Sequence, residues 1–184
     1  MTKKTRRPVF LKDYYYHIYN RGASQRTIFR EDENYLFCIG RIKKYSLELE
    51  ISVIAYCLMP NHYHLMVRQD GDSPAGLLPQ RVFNSYTKAY NKRYEVSGTL
   101  FEGPYKVNAV ETESQLRHLP RYIHCNPVKH GFVEIPEDWE FSNYRDWIGR
   151  RKGTLVDFEF IRTFYGNAVS YMEIIGEYLV EEDW

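Results

Sequence analysis

Glu50-Ile51-Ser52-Val53-Ile54-Ala55-Tyr56-Cys57, followed by Pro60-Asn61 and then His62-Tyr63-His64-Leu65-Met66-Val67-Arg68, is the stretch that decides how the rest of the chain is read. Glu50 to Cys57 is almost continuously apolar and predicts a buried strand. Pro60-Asn61 supplies a turn, and His62 to Arg68 predicts the returning strand of a hairpin. In a strand, residues i and i+2 point to one face, so His62 and His64 stand side by side, about 7 Å apart at Cα. Their ring nitrogens can then converge on one ion while Tyr63 turns to the opposite face. Alone, a His-x-His pair is a weak signal, because most such pairs are hydrogen-bonded surface or core residues.

Working outward, Tyr14-Tyr15-Tyr16-His17-Ile18-Tyr19-Asn20 predicts a strand that ends in a turn at Arg21-Gly22. From Glu31 to Leu47, Tyr35, Leu36, Ile39, Ile42 and Leu47 recur at near-helical spacing. Downstream, Asp70 to Gly76 is a polar loop. Leu77 to Tyr94 predicts a long helix with Val82, Phe83, Tyr86, Ala89 and Tyr90 on its apolar face, so that the Tyr86, Tyr90, Tyr94 stripe is core. Lys106 to Val110 predicts a strand. Thr112 to Cys125 predicts a helix, with Thr112-Glu113-Ser114-Gln115 as a capped start. Pro120 should bend or break it and Asn126-Pro127 should stop it. Beyond Gly131 the chain reads as loop-rich, then as a short amphipathic helical region from Asp157 to Leu179.

The order strand, helix, hairpin, helix, strand, helix predicts an α+β fold: a ferredoxin-like antiparallel sheet with helices packed on it, plus a C-terminal helical extension. The expected division is a domain over 1–148 and an acidic extension over 149–184. The chain has 184 residues, 27% of them charged, as expected of a globular protein. The net charge of +1 is unevenly spread: residues 1–133 carry a net +8 and residues 134–184 a net −7. A basic body suits a partner made of phosphates. The 17 tyrosines lean the same way, since bases offer a stacking face. Lys3-Lys4-Thr5-Arg6-Arg7 is a basic arm that could follow a nucleic-acid backbone. Cys38, Cys57 and Cys125 form no CxxC pair and read as reduced thiols. No apolar run reaches the ~20 residues of a membrane span and no signal peptide is visible, so the expectation is cytoplasmic.

A second chemical signal is Tyr122 with Asn126. Positions i and i+4 share a helix face, so a phenol and a carboxamide oxygen present together. The amide could complete the shell of an ion held by His62 and His64, and oxygen and imidazole donors with open positions suit Mg²⁺ or Mn²⁺ at a phosphate-transfer site. An ordinary phenol, with a pKa near 10, is a poor nucleophile at neutral pH, so a cation on the phosphate would be needed. Arg7, Arg21, Lys88, Lys92, Arg93, Lys106, Arg121 and Lys129 are the candidate DNA contacts. Lys129, Lys106 and His124 are the candidate bases for the phenol, His124 reading better as structural. Tyr105 is the rival nucleophile. Phe101 could stack on a base or fill core.

Three segments carry a resemblance. Ala55 to Val67 resembles the histidine–hydrophobic–histidine (HUH) segment of single-tyrosine transposases. Gly98-Thr99-Leu100-Phe101-Glu102-Gly103-Pro104-Tyr105-Lys106 and Arg121-Tyr122-Ile123-His124-Cys125-Asn126-Pro127-Val128-Lys129-His130-Gly131 resemble their REP-associated branch. Trp139-Glu140-Phe141-Ser142-Asn143-Tyr144 is similar to the segment that follows. The likeness covers residues 8 to 148, with Pro104 standing where arginine is common. It implies a ferredoxin-like core that binds single-stranded hairpin DNA from palindromic repeats. Tyr122 would attack the scissile phosphate, forming a 5′-phosphotyrosine link and freeing a 3′-hydroxyl. His62 and His64 would be the metal pair, with Asn126 as the third, helix-borne ligand. The rival readings are a hairpin-binding module that does not cut, and a structural zinc site using His62, His64 and Cys125. Monomer and homodimer are both open, since some relatives exchange the tyrosine helix. The short Val110–Thr112 link favours a site built within one chain.

Overall fold

A computed structural model describes residues 9–181; Arg7 and the basic arm lie outside them. Strands β1 (Tyr15–Arg21), β2 (Ile51–Met59), β3 (His62–Gln69) and β4 (Lys106–Val110) form one sheet in the order β2-β3-β1-β4, with every neighbouring pair antiparallel. Helices α1 (Asp32–Glu48) and α2 (Leu77–Arg93) link the strands in the ferredoxin-like βαββαβ order. Four more follow: α3 (Glu113–Lys129), α4 (Tyr144–Trp147), α5 (Phe158–Tyr165) and α6 (Ala168–Glu181).

The sheet is covered on both faces, which is why β2 and β3 read as nearly continuous apolar runs. On one face Tyr16, Ile18, Tyr56, Leu58, Tyr63, Leu65 and Val67 pack with Cys38 and Ile42 of α1 and Val82, Phe83, Tyr86 and Tyr90 of α2. The expected tyrosine stripe of α2 is thus core, and Tyr86 Oη donates to the Ile28 carbonyl. On the other face Ala55, Cys57, Met59 and Met66 pack with Leu119, Ile123 and Cys125 of α3, Trp147 of α4, Phe160 of α5 and Tyr171 of α6.

A bulge in β2 assigns these faces. Val53 pairs with Val67 but Ala55 pairs with Met66, leaving Ile54 as an extra residue. The insertion reverses the parity of everything after it, so Cys57 and Met59 share a face with His64 and His62. The Ile54 carbonyl accepts from Asn143 Nδ2 at 2.8 Å and Trp147 Nε1 at 3.0 Å. The outer edge of β2 is closed by the segment before α4: Leu58 N donates to the Phe141 carbonyl at 2.9 Å and Trp139 Nε1 to the Leu58 carbonyl at 3.0 Å. An exposed row of strand donors and acceptors is thereby removed.

One sequence expectation is corrected here: α3 is neither broken at Pro120 nor ended at Asn126-Pro127; it runs through both prolines to Lys129. Each proline removes one N–H donor, but both rings are buried in packing. The turn beyond Pro127 is closed by His130 N to the Asn126 carbonyl at 3.1 Å and Phe132 N to the Pro127 carbonyl at 2.9 Å. Its start is as expected: Thr112 and Gln115 form a reciprocal capping box. The expected helical region from Asp157 to Leu179 is present, as two helices. Gly166, at φ +81°, ends α5 in a conformation that favours glycine. Asn167 Oδ1 then accepts from Val169 N at 2.9 Å and Ser170 N at 3.1 Å, starting α6. Among the described residues no helix is long and apolar enough to cross a membrane.

Candidate active site

His62 and His64 lie on the face of β3 turned toward α3, while Tyr63 stacks on Phe83 on the other face with ring centroids 3.7 Å apart. The turn before them is held by backbone: Ile28 N and Phe29 N donate to the Pro60 carbonyl at 2.7 and 3.0 Å, and Gly22 N donates to the Asn61 carbonyl at 2.8 Å. Asn61 then reaches forward, its Oδ1 lying 2.7 Å from His62 Nδ1. The opposite ring nitrogen, His62 Nε2, lies 2.8 Å from Asn126 Oδ1. α3 therefore delivers Asn126 to the histidines, and with it Tyr122, one turn earlier. The Tyr122 ring stands edge-on to His64, with centroids 5.4 Å apart, and Lys129 Nζ lies 5.7 Å from the centre of the tyrosine ring. Tyrosine and histidines meet within a single chain.

Burial sets the charge of these groups. It pushes the His64 imidazole well below its ordinary value, helped by the neighbouring His17, His62 and His130. His62 is lowered chiefly by burial, against the hydrogen bond to Asn126. His17 is lowered by burial to about 4. All three are shifted toward the neutral form, which offers lone pairs rather than positive charge.

The donor set fits a cation. A neutral imidazole carries one N–H, yet His62 has an amide oxygen at each ring nitrogen. If the proton is on Nδ1 toward Asn61, the Nε2 lone pair faces the Asn126 oxygen lone pairs. Asn126 Nδ2 is, among the described residues, the buried side-chain nitrogen left without a hydrogen-bond partner. Turning the amide over only moves the deficit to its oxygen. With the proton on Nδ1 two electron-pair donors stand together, an arrangement a divalent ion would satisfy; in the other tautomer, His62 Nε2 donates to Asn126 Oδ1. Among the described residues no group of three or more His, Cys, Asp or Glu could hold an ion; the donors on hand are two imidazoles and one amide oxygen. The zinc alternative loses its thiol: Cys125 is buried in the cluster with α4 to α6 and, among the described residues, forms no group with His62 and His64 that could hold an ion.

The candidate DNA contacts separate. Arg21 and Lys106 join Tyr19, Asn20, His62 and His64 around a cleft of about 250 Å³; Arg21 also pairs with Glu102 through Nη2 to Oε1 at 3.0 Å. Lys129 stands over Tyr122. Arg121, although next to Tyr122, turns to α6, with its guanidinium 5.2 Å from the centre of the Tyr178 ring. Lys88, Lys92 and Arg93 sit on α2, across the sheet from the histidines, and Arg93 Nε bonds Glu31 Oε1 at 2.6 Å. Tyr105 packs against the α1/α2 cluster, and Phe101 lies edge-on to Phe83 at 5.3 Å in the same cluster. His124 is buried, 2.7 Å from Tyr171 Oη and 2.9 Å from Asn143 Oδ1, a structural role.

The sequence reading missed three residues of the site: His17, whose Nε2 lies 2.9 Å from His64 Nδ1; Tyr19, stacked on His17 at 4.7 Å; and His130, edge-on to His62 at 5.1 Å. The period-two alternation Tyr15, His17, Tyr19 was visible, but it places His17 beside His64 only once the β1–β3 register is known.

A ferredoxin-like sheet that presents paired histidines to a tyrosine-bearing helix defines the class. The chain belongs to the family described as "Transposase IS200 like", whose model matches residues 10–126. It is 24% identical over 110 residues to the REP-associated tyrosine transposase of Escherichia coli K12, an alignment spanning 59% of this chain and 64% of that one. It is 26% identical over 102 residues to a Haemophilus influenzae protein provisionally given the same name, spanning 50% of this chain and 57% of that one. The matched regions thus cover less than two thirds of either curated relative. A solved structure described as a REP-associated tyrosine transposase bound to a REP hairpin superposes with a TM-score of 0.66 at 21% identity, covering 86% of this chain and 95% of that one. At that identity the likeness is one of fold.

Proposed function

We propose that this chain is a metal-dependent DNA strand transferase that cuts and rejoins single-stranded hairpin DNA through a covalent tyrosine link. The observation that carries the reading is the convergence, within one chain, of Tyr122, His62, His64 and Asn126, whose Oδ1 lies 2.8 Å from His62 Nε2. The hairpin as substrate is taken from the structural neighbour, which is bound to one.

His62, His64 and Asn126 would hold Mg²⁺ or Mn²⁺, which when bound supplies positive charge against the scissile phosphate. Tyr122 Oη attacks phosphorus as the bond from phosphorus to the 3′-oxygen breaks. The phenolic proton ends on the departing 3′-oxygen, so a phosphodiester and a phenol become a 5′-phosphotyrosine ester and a 3′-hydroxyl. One ester replaces another, so rejoining needs no nucleotide cofactor. Arg21 and Lys106, at the cleft beside the histidines, would hold flanking phosphates. Lys129, over the Tyr122 ring, would set a positive charge near the incoming phosphate.

The test incubates labelled single-stranded hairpin DNA from the neighbouring genome with protein and Mn²⁺, and reads a denaturing gel. A covalent protein–DNA band is expected in the wild type. Tyr122→Phe should remove it by at least about 1,000-fold, as loss of a nucleophile does elsewhere, and chelator should abolish it. Binding with no adduct in the wild type would replace this reading with a hairpin-binding module, and an adduct surviving in Tyr122→Phe would move the nucleophile to another residue.

A further inference from the structure

A 2.9 Å contact joins His17 Nε2 to His64 Nδ1. Two nitrogens at that distance share one proton, and only two arrangements exist. If His17 donates, the single proton of His64 is on Nε2, and His64 has no lone pair left for an ion. If His64 donates, its Nε2 lone pair is open.

We propose that His17 is a positioning residue that accepts the Nδ1 proton of His64 and so keeps the His64 Nε2 lone pair available to the metal. The inference rests on the metal-dependent reading above. The sheet register supplies the geometry: Tyr19 pairs directly with His64, and His17 pairs with Met66, so His17 is the diagonal neighbour of His64 on the same face. The His17 ring packs against both Tyr19, 4.7 Å away at 28°, and His64, 5.2 Å away at 24°. Tyr122 stands edge-on to it at 6.2 Å.

A metal-ligating histidine commonly passes its other N–H to a carboxylate, a carbonyl or water, which fixes its tautomer. No carboxylate hydrogen-bonds to His17 or His64 among the described residues; an imidazole takes that place. The substitution has a chemical reason. A carboxylate here would set a negative charge beside a site that must admit a phosphodiester, whereas a neutral imidazole holds the tautomer without repelling the substrate.

The test uses the full chain, free of metal and then titrated with Mn²⁺, with variants His17→Gln, which keeps an accepting oxygen, and His17→Leu, which does not. ¹⁵N-histidine NMR of the metal-free wild type should show His64 protonated at Nδ1. In His17→Leu the proton should redistribute toward Nε2. Mn²⁺ affinity, read from the free-ion EPR signal, should fall by about 10- to 100-fold in His17→Leu, while His17→Gln stays within about threefold of wild type. The far-UV circular dichroism spectrum should be the same in all three, showing that the fold is intact. A wild-type His64 protonated at Nε2, or His17→Leu binding Mn²⁺ as tightly as wild type, overturns the proposal. So does a His17→Gln that falls as far as His17→Leu, which would make His17 a ligand in its own right. Wild type that binds no Mn²⁺ sensitive to His62→Ala overturns the metal reading itself, and His17 then has nothing to position.

Discussion

On one face of β3, Tyr63, Leu65 and Val67 are sealed between the sheet and helices α1 and α2, and Tyr63 is 1% exposed. On the other, one residue along in each case, His62 and His64 meet Asn126 and Tyr122 of α3. Both faces are covered, but they are filled on different terms, and His62 and Tyr122 are only half-buried. The first is satisfied by packing alone. The second holds imidazoles, an amide with an orphan nitrogen and a phenol, groups that cost free energy to bury unless something pairs with them. Within a single strand, then, one face stores stability and the other gives some of it up for chemistry.

Removing the Tyr63 ring would break that contrast most sharply. Tyr63→Ala should cost about 3–5 kcal/mol of unfolding free energy, the scale of a large core truncation. Urea titration would measure it, and a loss below about 1 kcal/mol would mean that the α1/α2 face is not where the stability lies. The protein that stays folded should still form the Tyr122 adduct.

Acid should discriminate between the site and its support. His124, in the α3–α6 core, is pushed by burial from its ordinary 6.5 down to about 4. A depressed folded pKa means that the unfolded chain takes up the proton first. The stability His124 lends is therefore whole above pH 6.5 and lost progressively as pH falls toward about 4. The full loss is on the order of 3 kcal/mol. His124→Gln, which can still bond Tyr171 and Asn143, should flatten the decline of the urea midpoint between about pH 7 and about pH 4.5. An unchanged decline would remove His124 from the account.

Asn126→Ala sharpens the comparison from the other side. Because the amide nitrogen is already unpaired, metal-free stability should move by no more than about 1 kcal/mol. Mn²⁺ affinity should fall by at least the ~10-fold that even an outer partner of a metal ligand commonly supplies. A large stability loss with unchanged Mn²⁺ binding would reassign Asn126 to the core.

The smallest effect concerns DNA. Lys106→Ala, at the histidine cleft, should weaken hairpin binding several-fold and reduce its salt slope by about one. Lys88→Ala, across the sheet on α2, should do neither. Equal losses from the two would place DNA on both faces.

Much of this molecule was legible in its residues. The hairpin at Pro60-Asn61, the strand Lys106–Val110, the capping box at Thr112 and Gln115, and the pairing of Tyr122 with Asn126 follow from period, turn chemistry and helix spacing, which are local. The sequence readings failed where packing outweighed a local rule. Proline is a helix breaker only when nothing repays the missing hydrogen bond; Pro120 and Pro127 are buried in contacts that do. Lys88, Lys92 and Arg93 look like the other basic candidates along the chain, and only the side of the sheet that α2 covers sets them apart from Lys106.

The sequence by itself determined the order of elements, the shared face of His62 and His64, and the shared face of Tyr122 and Asn126, because each depends on a repeat of 2.0 or 3.6 residues along a single element. Only the tertiary structure decided that these two faces meet. It also decided that the bulge at Ile54 reverses the parity of β2, and that His17 lies against His64. Those facts depend on register between strands far apart in the chain, and register is settled by the burial of whole faces, not by any neighbouring residue.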